Sequence, residues 1–179
     1  MPESDGKAGC NRLAGRRIII TGAASGIAKA MAGLFHREGA MLALIDRDAD
    51  GVEAAARELG ALPLTLDLAE AEGIAPTVDY AAREMGGLDG VVNCAAIGVP
   101  TSIEDTDIPT LARFVAINLT APFLLCRAAL PHLRKADIAT IRELERVHGA
   151  EWPQRWLEKR GVRVNPEDFT TAGEKKAAA

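Results

Sequence analysis

The stretch whose reading decides the fold is Arg17-Ile18-Ile19-Ile20-Thr21-Gly22-Ala23-Ala24-Ser25-Gly26-Ile27-Ala28. Its first five residues form a β-branched run of the kind expected in a strand buried on both faces, and Gly22 stops it. From Gly26 to Glu38 the apolar residues Ile27, Ala30, Met31, Leu34 and Phe35 recur at helical spacing, and Gly39 supplies a C-terminal cap signal. A Cβ in the intervening turn would block both the tight bend and the close approach of a phosphate. The turn therefore reads as a seat for a dinucleotide pyrophosphate, under backbone N–H groups and the positive end of the helix dipole. The alternative is an ordinary glycine-rich turn. Context favours the seat, because Asp46 ends the next strand 24 residues after Gly22, where a carboxylate can accept hydrogen bonds from both ribose hydroxyls.

Working outward, Met41 to Asp46 is a second apolar run, followed by a helix over Asp50 to Leu59 that Gly60 ends. Leu62 to Leu68 reads as a third strand, with Pro63 near its start, and a helix over about Ala75 to Met85 follows. After the Gly86-Gly87 break, Leu88 to Asn93 reads as a fourth strand, and a long helical stretch covers about Pro109 to Lys135. Strands alternating with helices imply right-handed crossovers and a parallel sheet covered on both faces. The fold class is thus α/β, a Rossmann-like doubly wound parallel sheet in the order 3-2-1-4, with room for one further strand, and C-terminal helices. Three regions are expected: a flexible arm over 1–13, a dinucleotide-binding domain over 14–135, and a divergent helical tail over 136–179.

Length and composition set the bounds. A chain of 179 residues gives one domain, and 48% hydrophobic with 26% charged residues describes a globular protein. Aromatics are only 4%, so Ala, Leu, Ile and Val must build the core. The net charge of −4, with no long Lys/Arg cluster, argues against nucleic acid or an anionic membrane as partner. No leader of signal-peptide type and no apolar run of about 18 residues is recognised, so a membrane span is not expected. Cys10, Cys94 and Cys126 are odd in number and far apart, which fits free thiols in a reducing compartment and a cytoplasmic location. His36, His132 and His148 show no metal-ligand spacing, so no metal is expected.

In order along the chain, these motifs resemble the short-chain dehydrogenase/reductase family, over about Gly15 to Lys135. The family's T-G-x-x-x-G-x-G is matched at Thr21, Gly22 and Gly26, with Ser25 and Ile27 inside the motif and Ala28 in place of the last glycine. The resemblance implies that Asp67, followed by Leu68, hydrogen-bonds the adenine ring; a helix N-cap is its alternative role. Asn93-Cys94-Ala95-Ala96 is similar to the family's N-N-A-G segment, so Asn93 and Ala95 join the implied cofactor-binding residues. Asn118 matches the helix asparagine that in the family shapes the site and holds a water of the proton relay. The implied cofactor is NAD: the Asp46 carboxylate repels a 2′-phosphate and Ala23, Ala24 and Ser25 offer no compensating base, while Arg47 leaves NADP binding open.

The family's hydride transfer uses a Tyr acid/base, a Lys four residues on, and a Ser. A tyrosine titrating near about 10 needs such help to act at neutral pH. The single tyrosine here, Tyr80, has Glu84 four residues on, and the serines are Ser4, Ser25 and Ser102, none after Asn118. Asn118 is the one member of the catalytic set present. His148 and Lys159 are weak substitutes, since a lone His on a charged helix is ordinarily solvated. Gly161 to Asn165 is similar to a strand that follows the family's catalytic helix, with an unrelated strand or loop as the alternative. Three readings stand: an oxidoreductase with a rebuilt or partner-supplied acid/base, a noncatalytic NAD-binding or interaction module, or a truncated product. A homo-oligomer or partner subunit is expected to cover the exposed sheet edge. Ile138, Ile141, Leu144 and Val147 fall on one helical face, and Trp152 and Trp156 are expected to pack near that edge.

Overall fold

The computed structural model describes residues 11–98 and 102–148, with side chains as far as Ala136. The triple isoleucine forms the centre of β1 (Arg17–Thr21), which pairs in parallel with β2 (Met41–Asp46) on one side and β4 (Gly90–Val92) on the other. β2 pairs in turn with β3 (Leu62–Thr65), giving the expected order 3-2-1-4. Ile20 stands opposite Leu44 and Val92, so the centre of the sheet is apolar across three strands.

Because side chains alternate along a strand, β1 and β2 feed two separate cores. Ile19, Ala43 and Ile45 face one layer with Ile74, Val78, Ala81 and Ala82 of α3 (Ala71–Glu84) and with Ala121, Leu125 and Ala129 of α5 (Ala121–His148). Ile18, Ile20, Leu42 and Leu44 face the other, formed by Ala28 and Ala32 of α1 (Gly26–Arg37) and Val52, Ala55 and Ala56 of α2 (Ala49–Leu59). Alanines at the contact positions let these helices approach the sheet closely, which is how a chain poor in aromatics fills its interior. The alternation that splits Ile18, Ile19 and Ile20 between layers is the physical content of a doubly wound sheet.

Several boundaries differ from the sequence reading. β3 ends at Thr65 rather than Leu68: Leu66 N still donates to the Asp46 carbonyl, but Asp67 then bends the chain by accepting from Ala69 N and Glu70 N. Leu66 and Leu68 are buried all the same, packed against α3 rather than held in a ladder. β4 keeps only three residues of the expected six. α3 begins at Ala71, ahead of the expected Ala75, and carries Pro76 inside it. Proline there leaves the Glu72 carbonyl without its i+4 donor, a loss tolerable near a helix start.

The long helical stretch is not one regular helix. α4 (Ile108–Val115) runs into a π turn (Ala116–Thr120) before α5, which continues to His148, thirteen residues past the expected end. Asp107 caps α4 by accepting from Thr110 N at 2.8 Å, and the Thr110 hydroxyl first, then this N–H, draw its carboxyl pKa down. Residues 138–148 are helical, as the spacing of Ile138, Ile141, Leu144 and Val147 expects; Trp152, Trp156 and Gly161 to Asn165 lie outside the described residues. A window of about 18 residues whose mean hydropathy would allow a membrane span is a looser measure than the continuous apolar run looked for in the sequence. The helical run Ile108–Ala136 contains such a window by length and composition, with mean hydropathy 1.5 and 22% of the window buried. Ile117, Ala121, Leu125 and Ala129 account for its inner face, while Leu119 and Phe123 are 67% and 62% exposed.

Ile19 is fully buried where β1 meets α3 and α5, so Ile19→Ala should cost about 2–5 kcal/mol in urea unfolding. Ile103, 88% exposed, should lose less than about 0.5 kcal/mol as Ile103→Ala.

Candidate functional site

The cavity opens at the carboxyl ends of β1, β2 and β4, where a parallel sheet reverses its winding and leaves a crevice. Its volume is about 490 Å³, within the range of small-molecule and cofactor sites. The glycine loop is laid against the end of β2: Gly22 N donates to the Ile45 carbonyl at 2.8 Å and Ala24 N donates to Asp46 Oδ2 at 3.0 Å. Asp46 Oδ1 accepts from Asp48 N at 3.1 Å, so the carboxylate is held by one backbone N–H on each oxygen.

Two glycines have distinct jobs. Gly22 has φ +75, and a Cβ there would stand 2.9 Å from Ala95 Cα, so no other residue lets the loop and the segment after β4 touch. Gly26 has φ +57 with nothing within 4 Å of its notional Cβ, which would project into open space at the N-terminus of α1. That open, glycine-lined cradle fits a pyrophosphate. Ser25 is the N-cap residue and makes no side-chain cap bond. Ala28, standing where the family has glycine, is buried against the second core and fits without displacing it.

Gly22, Ser25, Gly26, Ile27, Asp46, Asp67, Leu68 and Ala95 all line this one cavity. Thr21, Asn93 and Asn118 do not. Thr21 is buried behind it, where its Oγ1 accepts from Cys94 N and Ala95 N, both at 3.1 Å, and donates to the Val92 carbonyl at 3.3 Å. Asn93 is exposed and turns its amide toward Cys126 Sγ at 3.5 Å, because alternation along β4 points it at α5. Asn118 closes a two-bond ring with Ile97, accepting from Ile97 N at 2.9 Å and donating to Ile97 O at 2.8 Å. Its side chain is committed to pinning the loop, and Ile97 and Ile117 on either side of that ring reach the cavity.

Asp67 is not a helix cap: Glu70 occupies that position in α3. Its Oδ1 accepts from Ala69 N at 2.9 Å and its Oδ2 from Arg113 Nη2 of α4 at 2.8 Å. The Ala69 N–H, then the Arg113 guanidinium, hold its pKa below the ordinary value, with a weaker contribution from Arg47. Sequence reasoning missed Arg113 because a lone Arg on an exposed helix carries no signal, and its partner lies 46 residues away. Among the described residues the titratable side chains lining the cavity are Asp46, Arg47, Asp67 and Cys94. Tyr80 lies on α3, 39% exposed, with the Arg83 guanidinium over its ring, and takes no part.

A profile of the short chain dehydrogenase family matches residues 16–148. The chain belongs to this family. D-threitol dehydrogenase of Mycolicibacterium smegmatis is 35% identical over 122 residues, covering 65% of this chain and 47% of that enzyme. Among solved structures, a 3-ketoacyl-(acyl-carrier-protein) reductase from Brucella melitensis complexed with NADH superposes with a TM-score of 0.66 at 32% identity, covering 69% of this chain and 52% of that one. A short chain dehydrogenase from Burkholderia cenocepacia in complex with NADP superposes equally well, 0.66 at 29% identity, covering 68% and 52%. The chain spans about half the length of the curated relatives it matches.

A left-handed alanine costs roughly 1–2 kcal/mol. Gly26→Ala should lose about that much, and Gly22→Ala more, because its Cβ also meets the Ala95 backbone. Thermal melts of the two variants check the order; equal melting points would contradict the contact.

Proposed function

We propose that this chain binds NAD in the cavity at the end of β1, and that the 179-residue chain by itself does not turn over a substrate. The observation that carries the reading is the open cradle at Gly26, set at a helix N-terminus with the Asp46 carboxylate on its flank. In it Gly22, Ser25, Gly26 and Ile27 hold the pyrophosphate, Asp46 the adenosine ribose, Asp67 and Leu68 the adenine, and Ala95 the segment nearest the nicotinamide. Asn93 and Thr21 act from behind, by fixing the loop after β4. NAD is preferred over NADP because a 2′-phosphate would meet Asp46, and Arg47 only partly offsets that repulsion.

Bound NAD would supply a hydride acceptor for an alcohol, or as NADH a donor to a carbonyl. The chain's residues bind and orient it, and exclude water through Leu66, Leu68, Ile97 and Ile117. What they do not offer is the family's acid/base pair: no Tyr or His lines the cavity among the described residues, and no Tyr-x-x-x-Lys occurs in the sequence. Asn118 positions the loop through Ile97. An active oxidoreductase with an acid/base supplied by a partner is the rival reading. A second copy or partner subunit over the β4 edge and the exposed Leu119 and Phe123 belongs to the same proposal, as does a cytoplasmic setting for the free thiols of Cys94 and Cys126.

Calorimetric titration should show saturable NAD binding, NADP weaker by about tenfold, and that gap narrowed in Asp46→Ala. A panel of secondary alcohols and ketones should give no change in NADH absorbance. Turnover would establish the rival reading, and absence of NAD binding would overturn the site.

A further inference from the structure

Arg113 lies outside every motif that marks this site, yet among the described residues it is the side chain that joins α4 to the cavity wall by an ion pair. The guanidinium is 45% exposed and the carboxylate it holds 28% exposed, at the cavity's rim and not in the core. With Arg113 on Oδ2 and Ala69 N on Oδ1, the Asp67 carboxylate has both oxygens fixed in direction. A carboxylate offers about four lone-pair sites and no donor, so two remain for a ligand, and only a ligand donor can use them.

Resting on the reading of the cavity as a dinucleotide site, the geometry points to Arg113 as a positioning residue that aims the Asp67 carboxylate at a 6-amino purine and so makes the site discriminate adenine from a 6-oxo purine. With the pyrophosphate at Gly26 and the ribose at Asp46, the base reaches the stretch Leu66-Asp67-Leu68, where two buried leucines flank one polar group. An exocyclic amine donates to the aimed oxygens. A 6-oxo group presents a lone pair to them instead, leaving two acceptors face to face in a site already stripped of much water. Without Arg113, Asp67 keeps its bond to Ala69 but its second oxygen is free to swing, and the selection weakens while the apolar stacking surface stays. Arg47, the other cation acting on Asp67, forms no hydrogen bond to it and cannot replace that aim.

The test is a pair of titrations, NAD against nicotinamide hypoxanthine dinucleotide, which differ in the purine 6-substituent and in the proton that the 6-oxo form carries on N1, on the full chain and on Arg113→Gln and Arg113→Lys. The unsubstituted chain should prefer NAD by about tenfold or more. Arg113→Gln should reduce that ratio to about two- or threefold, mainly by weakening NAD, and Arg113→Lys should restore part of it. A general loosening of the fold would weaken both ligands together, so an unchanged ratio overturns the role of Arg113. Equal affinity of the unsubstituted chain for both ligands overturns adenine selection by Asp67. Failure to bind either one overturns the dinucleotide site itself, a separate outcome.

Discussion

The site depends on how closely the end of β1 approaches the end of β4. Thr21, buried at 1% exposure, ties the two with three hydrogen bonds from one hydroxyl, and Gly22 then brings the chain so near Ala95 that a side chain would not fit. A hydroxyl can donate once and accept twice, and Thr21 uses all of that capacity. The loop beyond is tied along its other flank to the end of β2, where Gly22 N and Ala23 N donate to the Ile45 carbonyl and Ala24 N donates to Asp46. The geometry of this loop is a by-product of strand packing: the residues lining the cradle contribute backbone, and those fixing it lie behind.

Most of the fold was legible because its signal is local. The run Ile18-Ile19-Ile20 and the spacing of Val52, Ala55 and Ala56 announce a two-faced strand and a one-faced helix without any knowledge of partners. Boundaries were less legible where tertiary contacts override propensity. Leu66 and Leu68 read as strand because they are apolar, and they are buried, but the Asp67 turn between them ends the ladder. Pro76 sits inside α3 because Ile74 and Val78 on its inner face anchor the helix to the sheet from both sides. The π turn at Ala116–Thr120 has no compositional mark, and it places Asn118 and Ile117 beside the cavity.

For the site, residues named by motif divide by how they act. Those whose backbone or carboxylate faces the crevice, such as Gly26 and Asp46, are where the pattern puts them. Thr21, Asn93 and Asn118 belong to the same motifs but act one layer back, and only coordinates reveal that Asn118 spends its amide on Ile97. Arg113 is invisible in the sequence because an ion pair between residues 67 and 113 has no periodicity to detect. No Tyr-x-x-x-Lys occurs in this sequence, and among the described residues the sheet stops at β4. Among its described residues the chain thus carries the glycine loop and the 3-2-1-4 parallel sheet of its family.

That account turns on backbone amides at the glycine loop doing the holding. Hydrogen–deuterium exchange of the full chain with and without saturating NAD reads those amides directly. Protection concentrated at residues 22–28, with smaller changes at 66–69 and 94–97, is the result expected from the cradle. Unchanged exchange at 22–28, with or without protection elsewhere, would contradict it.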